Sequence, residues 1–415
     1  MRNLRISHAI VLALVALLVG ACDTDVTNPG PTEDSVLDGG LDAVVQGADL
    51  TFAQALWRNV DHGGLVAKEV VLAGSGHPFR FPVTEPFGHL TESTVEDGNW
   101  NFAQRARWTA EDAIRRVEGV EGTQSQAGSM LLARAYLLAG YANRLLGENH
   151  CEAVIDEGPL EPHTVFFERA EAAFTQAMSF SQAAGESELG MAAQAGRASV
   201  RLHMHDDSGA AQDAAAIPDD FEYTQLYSTA QRAHFNEFAY QNTNNPYRSH
   251  TAWGTWFEDY YLETGDPRAA WGTDPEYPEG STAPAEPWYF ALKALVEDAP
   301  IMLSSGSEMR LIEAELLLRA QDWEGAMDMI NANRTSVISD QTGEPLDALV
   351  ASDSDEAWTH LQNERRVELW LEARRLGDLR RWIEAGFPGE LDDMSERSLC
   401  LPVPRSERDA NPNIS

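Results

Sequence analysis

Met309-Arg310-Leu311-Ile312-Glu313-Ala314-Glu315-Leu316-Leu317-Leu318-Arg319-Ala320 is followed, after Gln321, by Asp322-Trp323-Glu324-Gly325-Ala326-Met327-Asp328-Met329-Ile330-Asn331-Ala332-Asn333-Arg334. The pattern predicts a helix, a short turn and a second helix, with Ala314 and Ala326 at the points where the two helices touch. Outward from this unit the same texture recurs. Residues 100 to 118, 127 to 147, 163 to 184 and 187 to 205 have helical spacing and many alanines on their apolar faces. Small faces allow close helix packing. Nearer the start, Leu50, Ala53, Leu56, Trp57 and Val60 predict helix within 41 to 71, and Gly63-Gly64 predicts a break into two. Residues 72 to 99, rich in Gly, Pro and Phe, read as loop.

In the third of the upstream helices, Ala170, Phe174 and Ala177 have the small, aromatic, small spacing of the second helix of a tetratricopeptide repeat. Repeat-like hairpins therefore occur on both sides of the chain's middle. The fold class expected is mostly α, a tetratricopeptide-like hairpin scaffold over about 41–235 and 300–400. Between these blocks, about 236–299 is irregular. Residues 240 to 290 hold Trp253, Trp256, Trp271 and Trp288, six tyrosines and six prolines. Prolines at that density prevent long regular elements. Rings presented from loops on a rigid scaffold are a common way to build a ligand surface.

Charge narrows the function. Asp plus Glu number 66 against 30 Lys plus Arg, a formal charge of -36, so a polyanion meets a repulsive field and nucleic acid is not an expected partner. Only Lys68 and Lys293 are lysines; the other 28 cationic residues are arginine, suited to bidentate pairing with carboxylates. Arg2 and Arg5 precede an apolar run from Ala9 to Val19, too short to span a bilayer but long enough for a signal peptide. The run ends Leu18-Val19-Gly20-Ala21-Cys22, which resembles a bacterial lipobox. The expected organisation is a lipoprotein signal peptide over 1–21, acylation at Cys22, a flexible tether over 22–40 and one domain over 41–415. A bridge between Cys151 and Cys400 and a pair of buried thiols are both open on sequence.

The C-terminal part is the most specific. Asn363-Glu364-Arg365-Arg366-Val367-Glu368-Leu369 leads through Glu372 and Arg375 to Gly377-Asp378-Leu379-Arg380-Arg381-Trp382. The chain then ends Leu401-Pro402-Val403-Pro404-Arg405-Ser406-Glu407, followed by Asn411-Pro412-Asn413. In this the sequence resembles the SusD/RagB family, whose members share an E-R-R-x-E-L helix, a D-L-R-R-W run and a terminal L-P-I-P-x-S-E before N-P-N. The lipobox, Asp25-Val26-Thr27-Asn28-Pro29 and Gly265-Asp266-Pro267-Arg268 fit as well. The resemblance implies a lipoprotein on the outer face of the outer membrane, acting as a lid on a SusC-like TonB-dependent transporter and capturing oligosaccharide or peptide. It implies no catalysis and no cofactor.

The motif's charges admit a reading of their own. Arg365 with Glu368, Glu372 with Arg375, and Asp378 with Arg381 are three apart and can pair along a helix, a structural role. For a ligand, a pyranose offers a C–H face to an aromatic ring and a hydroxyl rim to planar polar groups. The candidate ligand residues are therefore His77, Phe79, Phe81, Trp100, Asn242, Trp253, Trp256 and Trp271. The rival reading buries these rings as core and makes the protein a scaffold for protein partners in the envelope. No metal site is expected: His203-Met204-His205 lacks the further histidine of a metallo-hydrolase run, and histidines two apart diverge on a helix.

Overall fold

The first helix, α1, runs from Leu41 to Val66 without interruption. The expected break at Gly63-Gly64 is absent. A Cβ on Gly63 would meet Asn149 Oδ1 at 3.0 Å, so glycine here admits a neighbouring helix, and the burial gained offsets the roughly 1 kcal/mol a helical glycine costs. The computed structural model describes residues 40–74, 88–95, 97–120, 125–244, 247–281, 285–389, 391 and 397–414. Residues from Leu41 onward form one compact unit.

Beyond a two-residue strand β1 (Val71–Leu72), α2 (Asp97–Gly119) and α3 (Gln126–Asn149) follow. A short β2–β3 pair (Glu152–Ala153, Glu161–Pro162) leads into α4 (Thr164–Ala184), α5 (Ser187–His203) and α6 (Asp207–Ala214). Each of α1 to α6 packs on the next, so the block is a succession of antiparallel hairpins. Its core shows why the small residues are where they are. Phe174 on α4 is fully buried between Gly140 of α3 and Gly196 of α5, and a Cβ on either glycine would lie 2.5 Å from its ring. One aromatic thus locks three helices. Gly196→Ala overpacks this contact and is expected to cost about 1–3 kcal/mol in urea unfolding; an unchanged midpoint would show that the ring can move aside.

The second block begins with β8 (Ile301–Ser305), antiparallel to β4 (Glu222–Gln225). Ser305 caps α9 (Gly306–Arg319), accepting from Glu308 N at 3.0 Å, and Asp322 caps α10 (Trp323–Arg334), accepting from Gly325 N. Ala314 and Ala326 are both fully buried where these helices meet. Helix α11 (Ser354–Glu368) packs on both, and α12 (Arg375–Ala385) and the short α13 (Arg405–Ala410) complete the chain. Cys151 and Cys400 are disulfide-bonded, with Cα atoms 5.0 Å apart, which ties the end of α3 to the C-terminal segment.

Between the blocks the chain has only short elements: α7 (Glu237–Thr243), β5 (His250–Thr251), α8 (Trp256–Thr264), β6 (Trp271–Gly272) and β7 (Phe290–Ala291).

Candidate functional site: the aromatic rim of the insertion

The residues from Glu364 to Glu372 anchor the site rather than forming it. Helix α11 ends at Glu368, and the next residues turn, with Leu371 (φ 58°) and Ala373 (φ 60°) left-handed. The expected Arg365–Glu368 pair gives way to contacts with other elements. Arg365 pairs with Asp378 of α12 (2.9 Å), Glu368 with Arg268 (3.1 Å) and Glu372 with Lys293. Asp378–Arg381 pairs as expected, at 2.9 Å.

Those other elements belong to the insertion. Arg268 donates to Asp266 Oδ2 (2.7 Å), Glu364 Oε2 (3.0 Å) and Glu368 Oε2 (3.1 Å). The Arg366 guanidinium lies 4.5 Å from the Trp256 ring centroid, and Trp370 stacks on Phe257 at 4.6 Å. Arg334 joins Glu364 (2.6 Å) to the Tyr260 hydroxyl (2.8 Å). The same turn holds the chain ahead of β1: Trp370 Nε1 donates to Glu69 O (3.0 Å), and Leu371 N to Glu69 Oε1 (3.2 Å).

Burial pushes the Glu69 carboxyl up to about 7. A carboxyl raised above its unfolded value of about 4.5 contributes stability below that pH, and this is lost as pH rises through 7. Glu69→Gln removes that titration. Its thermal midpoint relative to wild type is expected to improve between pH 5 and pH 8; a difference independent of pH would contradict the assignment.

Strand β1 pairs antiparallel with β5, Val71 opposite Thr251 and Leu72 opposite His250. His250 Nε2 lies 2.8 Å from Asp61 Oδ1 of α1, both fully buried. Ala73 O accepts from Glu286 N (2.6 Å), and a Cβ on Gly280 would strike Ala73 O at 2.1 Å. So the chain entering residues 75–87 leaves the scaffold against the insertion. His77, Phe79 and Phe81, like Cys22, lie outside the described residues.

The other candidate residues divide. Trp253 is half-buried on the turn after β5 and has no ring or guanidinium partner among the described residues. Trp271 is half-buried and stacks on Tyr289 (4.2 Å, 6°), with Tyr261 edge-on at 5.9 Å. Trp256 is half-buried but engaged, between Tyr260 at 4.4 Å and Arg366. Two candidates require correction. Trp100 is 1% exposed, edge-on to His150 with its Nε1 donating to Glu407. Asn242 is fully buried, its Nδ2 donating to Ala291 O and Ala294 O at 3.0 Å each. The Asn242 amide is thus spent on backbone carbonyls inside the core, and the Trp100 ring is all but closed to solvent.

Sequence reasoning missed a run of half-buried rings: Phe235, Tyr240 and Tyr247, with centroids 5.8 and 5.3 Å apart in succession. Arg232 lies over Tyr240 and Arg248 over Tyr277 (4.7 Å). Phe235 and Arg232 also line a cleft of about 360 Å³ with Gln54, Trp57, Phe102 and Glu237. The clue was available: the aromatic density of the insertion begins at Phe235. This rim of rings, guanidiniums and carboxylates has the chemistry to stack on a sugar face and bind its hydroxyls.

Residues 307–398 match the SusD family model. No curated protein sequence matches the chain. Solved structures similar to it include the surface glycan-binding protein A from Bacteroides uniformis (13% identity, TM-score 0.65), covering 90% of this chain and 99% of that one. A laminarin-binding SusD-like protein is 14% identical (TM-score 0.65; 91% and 98% covered). A SusD/RagB family protein from Bacteroides thetaiotaomicron is also 14% identical (TM-score 0.61; 88% and 94% covered). Over residues 307–398 the sequence is similar to the SusD family, and over about nine-tenths of its length the chain shares the fold of SusD-like proteins.

Proposed function

We propose that this protein is a lipoprotein of the outer membrane surface, anchored through Cys22, that captures an oligosaccharide and hands it to a SusC-like TonB-dependent transporter. The observation that carries the reading is the double grip of the C-terminal motif. The end of α11 fixes the insertion, through Arg268 and Arg366, and the turn after it fixes the chain ahead of β1, through Glu69. Contacts of this kind fix the rings of the insertion on the scaffold, as a ligand surface requires. The similar structures described as glycan-binding and laminarin-binding favour sugar over peptide. Among the described residues no helix is long and apolar enough to cross a membrane, so in this reading the lipid supplies the attachment.

The test is extraction of native outer membranes in mild detergent. The protein is expected to co-purify with a large β-barrel transporter, and Cys22→Ser to leave it in the soluble fraction. A protein that extracts alone, with Cys22→Ser still membrane-bound, would overturn the proposal.

A further inference from the structure

Helix α2 carries Asn101, Gln104, Arg105 and Trp108 on one face, at the three- and four-residue spacing that brings helical side chains into line. Trp108 is 47% exposed, and no other Trp, Tyr or Phe ring among the described residues is exposed to that degree. Across from this face is the turn after β2. Asp156 (φ 47°) and Glu157 (φ 62°) both adopt the left-handed conformation that side chains other than glycine rarely take. Their strain is held by named contacts. Asn413 Nδ2 donates to Glu157 O (2.7 Å), Asn411 Nδ2 to Gly158 O (3.0 Å), and the buried Arg107 guanidinium to Asp156 Oδ1 (2.8 Å). The terminal Asn-Pro-Asn run thus clamps a strained turn opposite an exposed indole. Backbone strain maintained in this way is characteristic of binding sites.

Helix face and turn enclose a cleft of about 440 Å³, within the range of small-molecule sites. Its wall combines the Trp100 and Trp108 rings with the amides of Asn101 and Gln104, two guanidiniums and carboxylates. The Asp156 carboxyl is held below the usual range by the hydrogen bond from Arg107 and remains an acceptor. The carboxylates of Asp156, Glu157 and Glu407 outnumber the guanidiniums of Arg105 and Arg107, so the cleft disfavours an anionic ligand.

We propose that this cleft is a second glycan site, in which the C–H face of a neutral hexopyranose unit stacks on Trp108 while Asn101, Asp156 and Glu157 bind its hydroxyls. The inference rests on the sugar-capture reading for its ligand class and on separate residues for its site. A second contact on one polysaccharide chain raises retention by avidity, without any change at the rim.

The test uses the full chain labelled with 5-fluorotryptophan. The Trp108 signal is assigned by its disappearance in Trp108→Phe, and soluble neutral glucans, mannans and galactans are the probes. A glycan retained by the wild type should shift the Trp108 signal. Trp108→Ala should weaken retention about 2- to 10-fold, the scale of one aromatic stacking contact, and Trp108→Phe should weaken it less. Retention of a neutral glycan with the Trp108 signal unmoved and Trp108→Ala unaffected would overturn this site alone. So would retention of acidic glycans only. A wild type that retains no glycan of any kind would overturn the capture reading and this site with it.

Discussion

Replacing Arg268 by alanine is expected to destabilise the protein by about 3–5 kcal/mol in equilibrium urea unfolding, the cost of leaving buried charges uncompensated. Arg268 is 14% exposed and stands among three carboxylates: Asp266 and Glu364, essentially buried, and Glu368, at 15% exposure. Each of the three accepts a hydrogen bond from the one guanidinium. Lysine is not an adequate replacement, because a single ammonium cannot reproduce the planar fork. Arg268→Lys should therefore recover only part of the loss. Because these contacts join α8 and its neighbours to α11, the insertion should open first, with amide exchange rising over 250–270 before it rises in α3 or α4. A variant within about 0.5 kcal/mol of wild type would show that the network is a surface decoration.

The second large effect belongs to the disulfide. Cys151 and Cys400 are 249 positions apart in sequence, and closing so long a loop removes much of the unfolded chain's freedom. Cys151→Ser with Cys400→Ser is expected to lower stability by about 2–5 kcal/mol. The backbone bonds beside the bridge, Cys151 N to Leu401 O and Leu401 N to Asn149 O, hold the same two segments together. The folded state should accordingly survive the double substitution, with unchanged far-ultraviolet circular dichroism and a lowered urea midpoint. Equal midpoints with and without the bridge would mean that the denatured state is already constrained.

Much of this architecture is legible in the sequence because helix packing is local. The spacing of Ala314 and Ala326 and of Ala170, Phe174 and Ala177 describes contacts that the folded core makes, and the helix ends fall within a few residues of the periodic runs. Where reading failed, the reason was long-range. Gly63-Gly64 looks like a break until Asn149 is seen to occupy the space a side chain would need. Arg365 and Glu368 look like an intrahelical pair until Asp378 of α12 and Arg268 of the insertion are seen to take them up.

The proposed site is readable in the sequence as a region and not as residues. Proline and aromatic density marks out the insertion, but density does not say which ring faces water. Trp100 and Trp253 are equivalent in sequence; the first is buried under Glu407 and His150, and the second stands half-exposed at a turn. Orientation of that kind is fixed by contacts made from far along the chain. The C-terminal motif supplies them: in the proposed function, the residues that carry the family resemblance position the ligand surface and do not contribute to it.

That division of labour is tested most directly by affinity electrophoresis of the intact chain through gels containing a panel of neutral and acidic polysaccharides. The account predicts that at least one glycan retards the wild type, that Trp253→Ala loses most of the retardation, and that its urea midpoint stays within about 0.5 kcal/mol of wild type, as suits a half-exposed ring without a stacking partner. A protein that every gel passes freely, or one whose retardation is indifferent to Trp253, would contradict it.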